Sequence, residues 1–248
     1  MSYSTLEPER LIQTVEKLRN RITERFPDAS LGRVASALLD IARMHAKRSA
    51  SIRKPNWWLR SASVLLVAGG VTTVAVVFRL LRLRVPEEWP LADVIQTFEA
   101  SLSVLFFLTA GAVFALSLDL RSKRRRCLQA LHELRAMAHI VDMHQLTKDP
   151  DRIVNSGVDT PSSPVRKMTR FELTRYLDYC SEMLSLMGKV AALYAQDFPD
   201  PQAVGAVDDI EDLTTGLSRK IWQKITILDA EPSRAPAPTV AAIPDSQQ

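Results

Sequence analysis

The sequence predicts an all-α membrane protein: a two-helix transmembrane hairpin with a cytoplasmic helical bundle that extends from it like a coiled coil. Three observations predict it. Two long runs lack any charged residue, each is far longer than a core strand, and the segments around them, apart from a linker and a tail, repeat their apolar residues at helical spacing. The first run, 61–78, reads SASVLLVAGGVTTVAVVF, and the second, 100–118, reads ASLSVLFFLTAGAVFALSL. As helices rising ~1.5 Å per residue they are ~27–29 Å long, close to a hydrocarbon core of ~30 Å. A buried core segment is the competing reading. Core strands are much shorter, however, and soluble helices show a polar face that these runs lack.

The first segment, 1–55, is expected to be a helical pair. Ser4 and Glu7 have capping-box spacing, with Pro8 in the first turn. Leu11, Val15, Leu18 and Ile22 then mark one face, and Phe26-Pro27-Asp28 breaks the helix. Ser30 is a cap for the second helix, whose apolar side is Leu31, Val34, Leu38, Ile41 and Ala42.

The hairpin covers 56–120, with spans at about 57–79 and 99–118. Trp57, Trp58 and Trp89 suit the interface, where amphipathic rings settle. Gly69 with Thr73, and Gly111 with Ala115, are small pairs that let two helices approach closely in lipid. The connection is short, so no folded domain fits between the spans. Lys47, Arg48, Arg53, Lys54 and Arg60 flank the first span, and Arg121, Lys123, Arg124, Arg125 and Arg126 follow the second. That bias puts both termini in the cytoplasm of a multi-pass protein in a plasma membrane or bacterial inner membrane, despite three arginines in the connection. The first apolar run begins too far in for a cleaved signal, so the first span is expected to be an uncleaved anchor.

After Pro90 the next proline is Pro150, and the second span is therefore expected to continue into a stalk, 121–148, ending near Leu146. Cys127, Leu131, Leu134, Ala138 and Val141 repeat at four–three spacing on it. A linker, 149–168, follows. Thr169 and Glu172 form a capping box that opens a helical hairpin, 169–229. Its first helix turns Leu173, Tyr176, Cys180, Met183, Met187, Val190 and Tyr194 inward and leaves Asp178, Tyr179 and Glu182 on an outer face. Asp200 can cap the second helix, Pro201 fits its first turn, and Ile210, Leu213, Leu217, Ile221, Ile225 and Leu228 face inward. The Pro/Ala-rich tail, 230–248, is expected to be disordered.

Chemistry is sparse. Neither cysteine lies in a C-x-x-C pair, and on the cytoplasmic side both stay reduced. Three of the four histidines cluster between His132 and His144, but Ala136 stands where a zinc-protease H-E-x-x-H needs its second histidine. His132, His139 and Asp142 are the candidates for a polar seam or a pH-responsive contact, against a solvated stalk face as the plainer reading. Phosphate-cradling and hydrolase motifs are absent. Arg219, Lys220 and Lys224 beside Trp222 are too few for nucleic acid. No catalytic, cofactor or metal residue is assigned.

The expected function is non-catalytic. The bundle would scaffold or bind a protein partner through 169–228, with lipid bilayer and further copies of the chain as the other partners. A subunit of an oligomeric channel or transporter, with Asp93 and Glu99 near its mouth, is the alternative, and a membrane-tethered metal-dependent enzyme is the second. Neither span carries an internal ionisable residue of the kind a transport pathway usually needs.

Overall fold

The structure, a computed structural model, describes residues 5–54, 57–82, 91–148, 150, 161–162 and 168–230, without the side chains of 59, 60, 77, 78, 80–82, 93 and 94. The described residues are all-helical. Six helices follow one another: α1 (Pro8–Arg25), α2 (Ser30–Arg53), α3 (Trp57–Arg82), α4 (Leu91–Leu146), α5 (Arg170–Asp197) and α6 (Pro201–Ala230). The Ser4 cap, residues 83–90 of the expected connection, most of the linker and the tail beyond Ala230 lie outside the described residues, whereas 79–82 and 91–99 of the connection are helical, in α3 and α4.

Several helix starts differ from the sequence expectation. Glu7 is the N-cap of α1 and makes no side-chain cap bond, while Pro8 takes the first helical position. Ala29 caps α2, so Ser30 is already helical. Pro8 with its fixed φ sets the start of α1 without help from a side chain. At α5 the capping box forms as expected. Glu172 N–H donates to Thr169 Oγ1 at 3.2 Å, and Thr169 N–H donates to Glu172 Oε2 at 2.8 Å. At α6, Asp200 Oδ1 accepts from the amides of Gln202 (3.1 Å) and Ala203 (3.3 Å), and these bonds satisfy two of the helix's orphan donors.

α1, α2, α5, α6 and the second half of α4 build one core. α5 is the central rod and packs against all four of the others. Its inward stripe is buried as the periodicity predicts, but burial extends around it to Leu177, Tyr179, Leu184 and Leu193. Tyr179 is therefore covered, contrary to its expected exposure. Phe26, the C-cap of α1, packs edge-on to its ring at 6.2 Å, and the Arg21 guanidinium lies 5.1 Å from the ring centre. α1 covers a second side of α5, so a wheel with one inward stripe underestimates its burial, while Asp178 and Glu182 stay partly exposed and Ser185 and Lys189 exposed. Glycines allow close approach at two crossings. Gly32 faces Thr23 across α1–α2, and Gly188 faces Thr214 across α5–α6.

α4 is a single helix of 56 residues, ~84 Å long. It begins at Leu91, well before the expected span start near 99, because charges such as Glu99 end an apolar run without ending a helix. Its first half is bare: Phe106 is 67% and Phe107 is 72% exposed. Its second half is interior, with Cys127, Leu131, Leu134, Ala138 and Val141 all buried. By length and composition α4 is the one helix among the described residues able to cross a membrane. The apolar stretch of α3, Ser61–Val76, is shorter, so one such helix is shown where two spans were expected. α3 packs on α4 through Gly70 against Leu108 and Leu66 against Gly111.

Candidate functional site

A concavity among the described residues lies where α4 passes from bare to buried. There the end of α2 stands off from α4 and leaves an open cleft of about 1110 Å³. Arg48, Ser51 and Ile52 form its α2 wall. Arg121, Arg124, Arg125, Arg126 and Leu128 line α4, with Gln129, His132 and Glu133 further along the helix. α2 turns His45, Ser49 and Ile52 inward, in register with Leu38 and Ala42, and this leaves Arg48 at the edge of that face. On α4 the buried stripe through Cys127 and Leu131 puts the arginines of the preceding turns on the rim.

Arg48 and Glu133 of the cleft wall belong to a part-buried polar cluster that reaches the buried His45 of α2 and Tyr194 of α5. Glu133 joins it together. Arg48 Nη1 donates to both carboxylate oxygens of Glu133, at 2.9 and 3.0 Å. His45 Nε2 lies 3.2 Å from Glu133 Oε2, and because a carboxylate only accepts, this nitrogen carries the proton. The His45 ring is fully buried and stands edge-on to Tyr194, with centroids 5.6 Å apart. His45 Nδ1 and Tyr194 Oη are buried and make no hydrogen bond among the described residues.

Burial lowers the His45 pKa below its ordinary value, and the Glu133 hydrogen bond only partly opposes this. Burial pushes the Glu133 carboxyl up, but hydrogen bonds from Arg48 and His45 outweigh it and hold the carboxyl below its usual range. Burial also pushes the Cys127 thiol up to about 11 and Cys180 up to about 12, so both stay protonated and unreactive at neutral pH.

A second tie fastens the cleft's floor to the α5–α6 joint. Arg124 donates to Asp200 in parallel, Nε to Oδ1 at 3.0 Å and Nη2 to Oδ2 at 2.6 Å. The Arg124 hydrogen bonds hold the Asp200 carboxyl below its usual range. One aspartate thus caps α6 and anchors α4. Lys123 pairs with Asp119 at 3.3 Å. Arg121, Arg125 and Arg126 make no ion pair or hydrogen bond among the described residues.

The predicted site residues are dispersed. His132 is exposed on the cleft rim, and His139 is exposed a further two turns along. Asp142 accepts from Gln145 Nε2 at 2.6 Å, within its own helix. No group of three or more metal-ligating side chains forms among the described residues. Gly69 faces open space, and Thr73 donates to its carbonyl at 2.9 Å. Its neighbour Gly70 makes the close approach to α4, and Gly111 meets Leu66 while Ala115 is half-buried. Of the expected partner segment, most of α5 is interior, and the outer face of α6 presents Trp222 and Ile227. His45 was the histidine that sequence clustering passed over. Its spacing of seven from Leu38 and three from Ala42 was the available signal.

Comparison with family models, curated proteins and solved structures yields no match, so the chain's own residues carry the functional reading.

Proposed function

We propose that this chain is a non-catalytic, two-span membrane protein whose cytoplasmic helical bundle serves as a scaffold that binds a protein partner and further copies of itself. The observation that carries the reading is the change of surroundings along α4. Its first half has large apolar side chains exposed, with none of its most apolar 18-residue window buried, whereas its second half is the wall of a packed core. Exposed apolar surface on that scale calls for lipid or protein cover.

One crossing by α4 entails a second. α2 packs on the second half of α4, so the chain before α3 sits on the same side as the chain after the crossing. To begin α4 on the far side the chain must first cross, and α3, ~39 Å long, is the connection available. Both termini then share one side, and the arginines around the cleft make that side the cytoplasm. The seam between α3 and α4 is lined by apolar and small residues such as Gly70, Val71, Val74 and Leu105, which supports packing over conduction. The outer face of α6, with Trp222, is the proposed docking surface for the partner.

The test uses reporter fusions at each terminus and between α3 and α4. Cytoplasmic reporters at both termini and an external one in the connection are expected. An external reporter at the C-terminus overturns the topology, and a monomer in nanodiscs overturns self-association.

A further inference from the structure

We infer that the cleft between α2 and α4 binds the phosphate headgroup of an anionic phospholipid, a site that rests on the membrane reading above. Arg121, Arg125 and Arg126 crowd one turn and a half of α4 with Arg124, and Arg48 faces them across the cleft. The acidic groups nearby are already engaged: Glu133 by Arg48 and His45, Asp200 by Arg124, and Asp119 by Lys123. The excess positive charge at the rim therefore has no counter-charge from the described protein, and guanidinium forks match phosphate oxygens well.

Depth selects the source of the phosphate. Arg121 and Arg125 lie three and seven residues beyond Leu118, where the uncharged run ends, or ~4.5 and ~10.5 Å along the axis. The headgroup layer on each side of a bilayer is ~5–8 Å thick, so these side chains reach it. Trp57 and Trp58, exposed at the start of α3, mark the same interfacial level.

The experiment measures lipid retention by native mass spectrometry of the full chain in detergent, with phosphatidylglycerol and phosphatidylcholine as probes and inorganic pyrophosphate as competitor. Phosphatidylglycerol is expected to bind at least about tenfold more tightly than phosphatidylcholine. A basic residue near an anionic surface contributes ~1 kcal/mol, roughly fivefold in affinity, so R121Q/R125Q/R126Q should lose that preference. The R33Q/R219Q/K220Q control, remote from the cleft, should keep it. R125E alone should weaken binding at least about fivefold if the triple variant fails to fold. Equal retention of both lipids, full binding by the triple or single cleft variant, or displacement by pyrophosphate at the lipid's own concentration overturns the site. A chain that stays dispersed without detergent overturns the membrane reading and the site with it. A detergent-dependent chain with no lipid preference overturns the cleft alone.

Discussion

The two halves of α4 share one unbroken helix and have opposite surroundings. From Phe98 to Leu118 most of its large apolar residues stand exposed, with only α3 beside them, whereas from Cys127 to Val141 its apolar stripe is packed by α2, α5 and α6. The lesson is that helix continuity is set by the absence of breakers, and environment by the distribution of charge. The six residues from Arg121 to Arg126, five of them basic, mark the change of environment.

Truncation on either side of that boundary should give the largest contrast. Leu134, fully buried, should cost ~2–5 kcal/mol of bundle stability as Leu134→Ala, because a cavity replaces a filled site. Phe107→Ala removes a larger side chain but should leave the bundle's denaturant midpoint unchanged, since nothing in the bundle touches it. Equal losses would erase the distinction between the halves.

Glycine substitutions sharpen the comparison in the bare half. A Cβ at Gly70 would collide with the Leu108 side chain, so Gly70→Val should cost ~1–3 kcal/mol of α3–α4 association by overpacking. Gly69→Val faces open space and should be silent in the single chain. Cross-linking yield between introduced cysteines in α3 and α4 reads both.

At the boundary itself, Asp200→Ala removes the α6 cap and the Arg124 tie together. A loss of ~0.5–2 kcal/mol is expected from the cap, read by thermal unfolding of the purified chain. Asp200→Asn should keep most of the cap and lose the charge on the Arg124 tie.

The smallest effect is on pH dependence. His45 has its pKa lowered on folding, so the unfolded chain takes up its proton first as pH falls. The folded state is then fully favoured above the ordinary histidine value of ~6.5 and loses stability below it. The lowered carboxyls of Glu133 and Asp200 add loss in the same direction at more acid pH. Thermal stability should fall between pH 7.5 and 5.5, and His45→Gln should flatten that slope. A slope unchanged in the variant would remove His45 from the account.

Much of the bundle was legible in the sequence because each helix has a strict apolar period. The stripes of α1, α4, α5 and α6 are buried nearly residue for residue, with Leu213 only partly covered. Two kinds of feature were not legible. Tyr179 looked exposed because a helical wheel assumes one covered face, while α1 covers a second side of α5. The His45–Glu133–Arg48 cluster spans 85 and 88 residues in sequence, and periodicity gives no sign of which polar groups from distant helices will meet. The arginines after Leu118 could be read as a topology signal, but their division into Arg124, tied to Asp200, and the unpaired rim set depends on where α6 begins.

The most direct test is spin-label accessibility along α4 in nanodiscs. Labels at positions 98, 106, 107 and 114 should be open to dissolved oxygen and closed to a water-soluble nickel chelate, and labels at 125 and 132 should show the reverse. Nickel-chelate access at 106, 107 and 114 matching that at 132 would mean that water surrounds both halves, and would contradict the account.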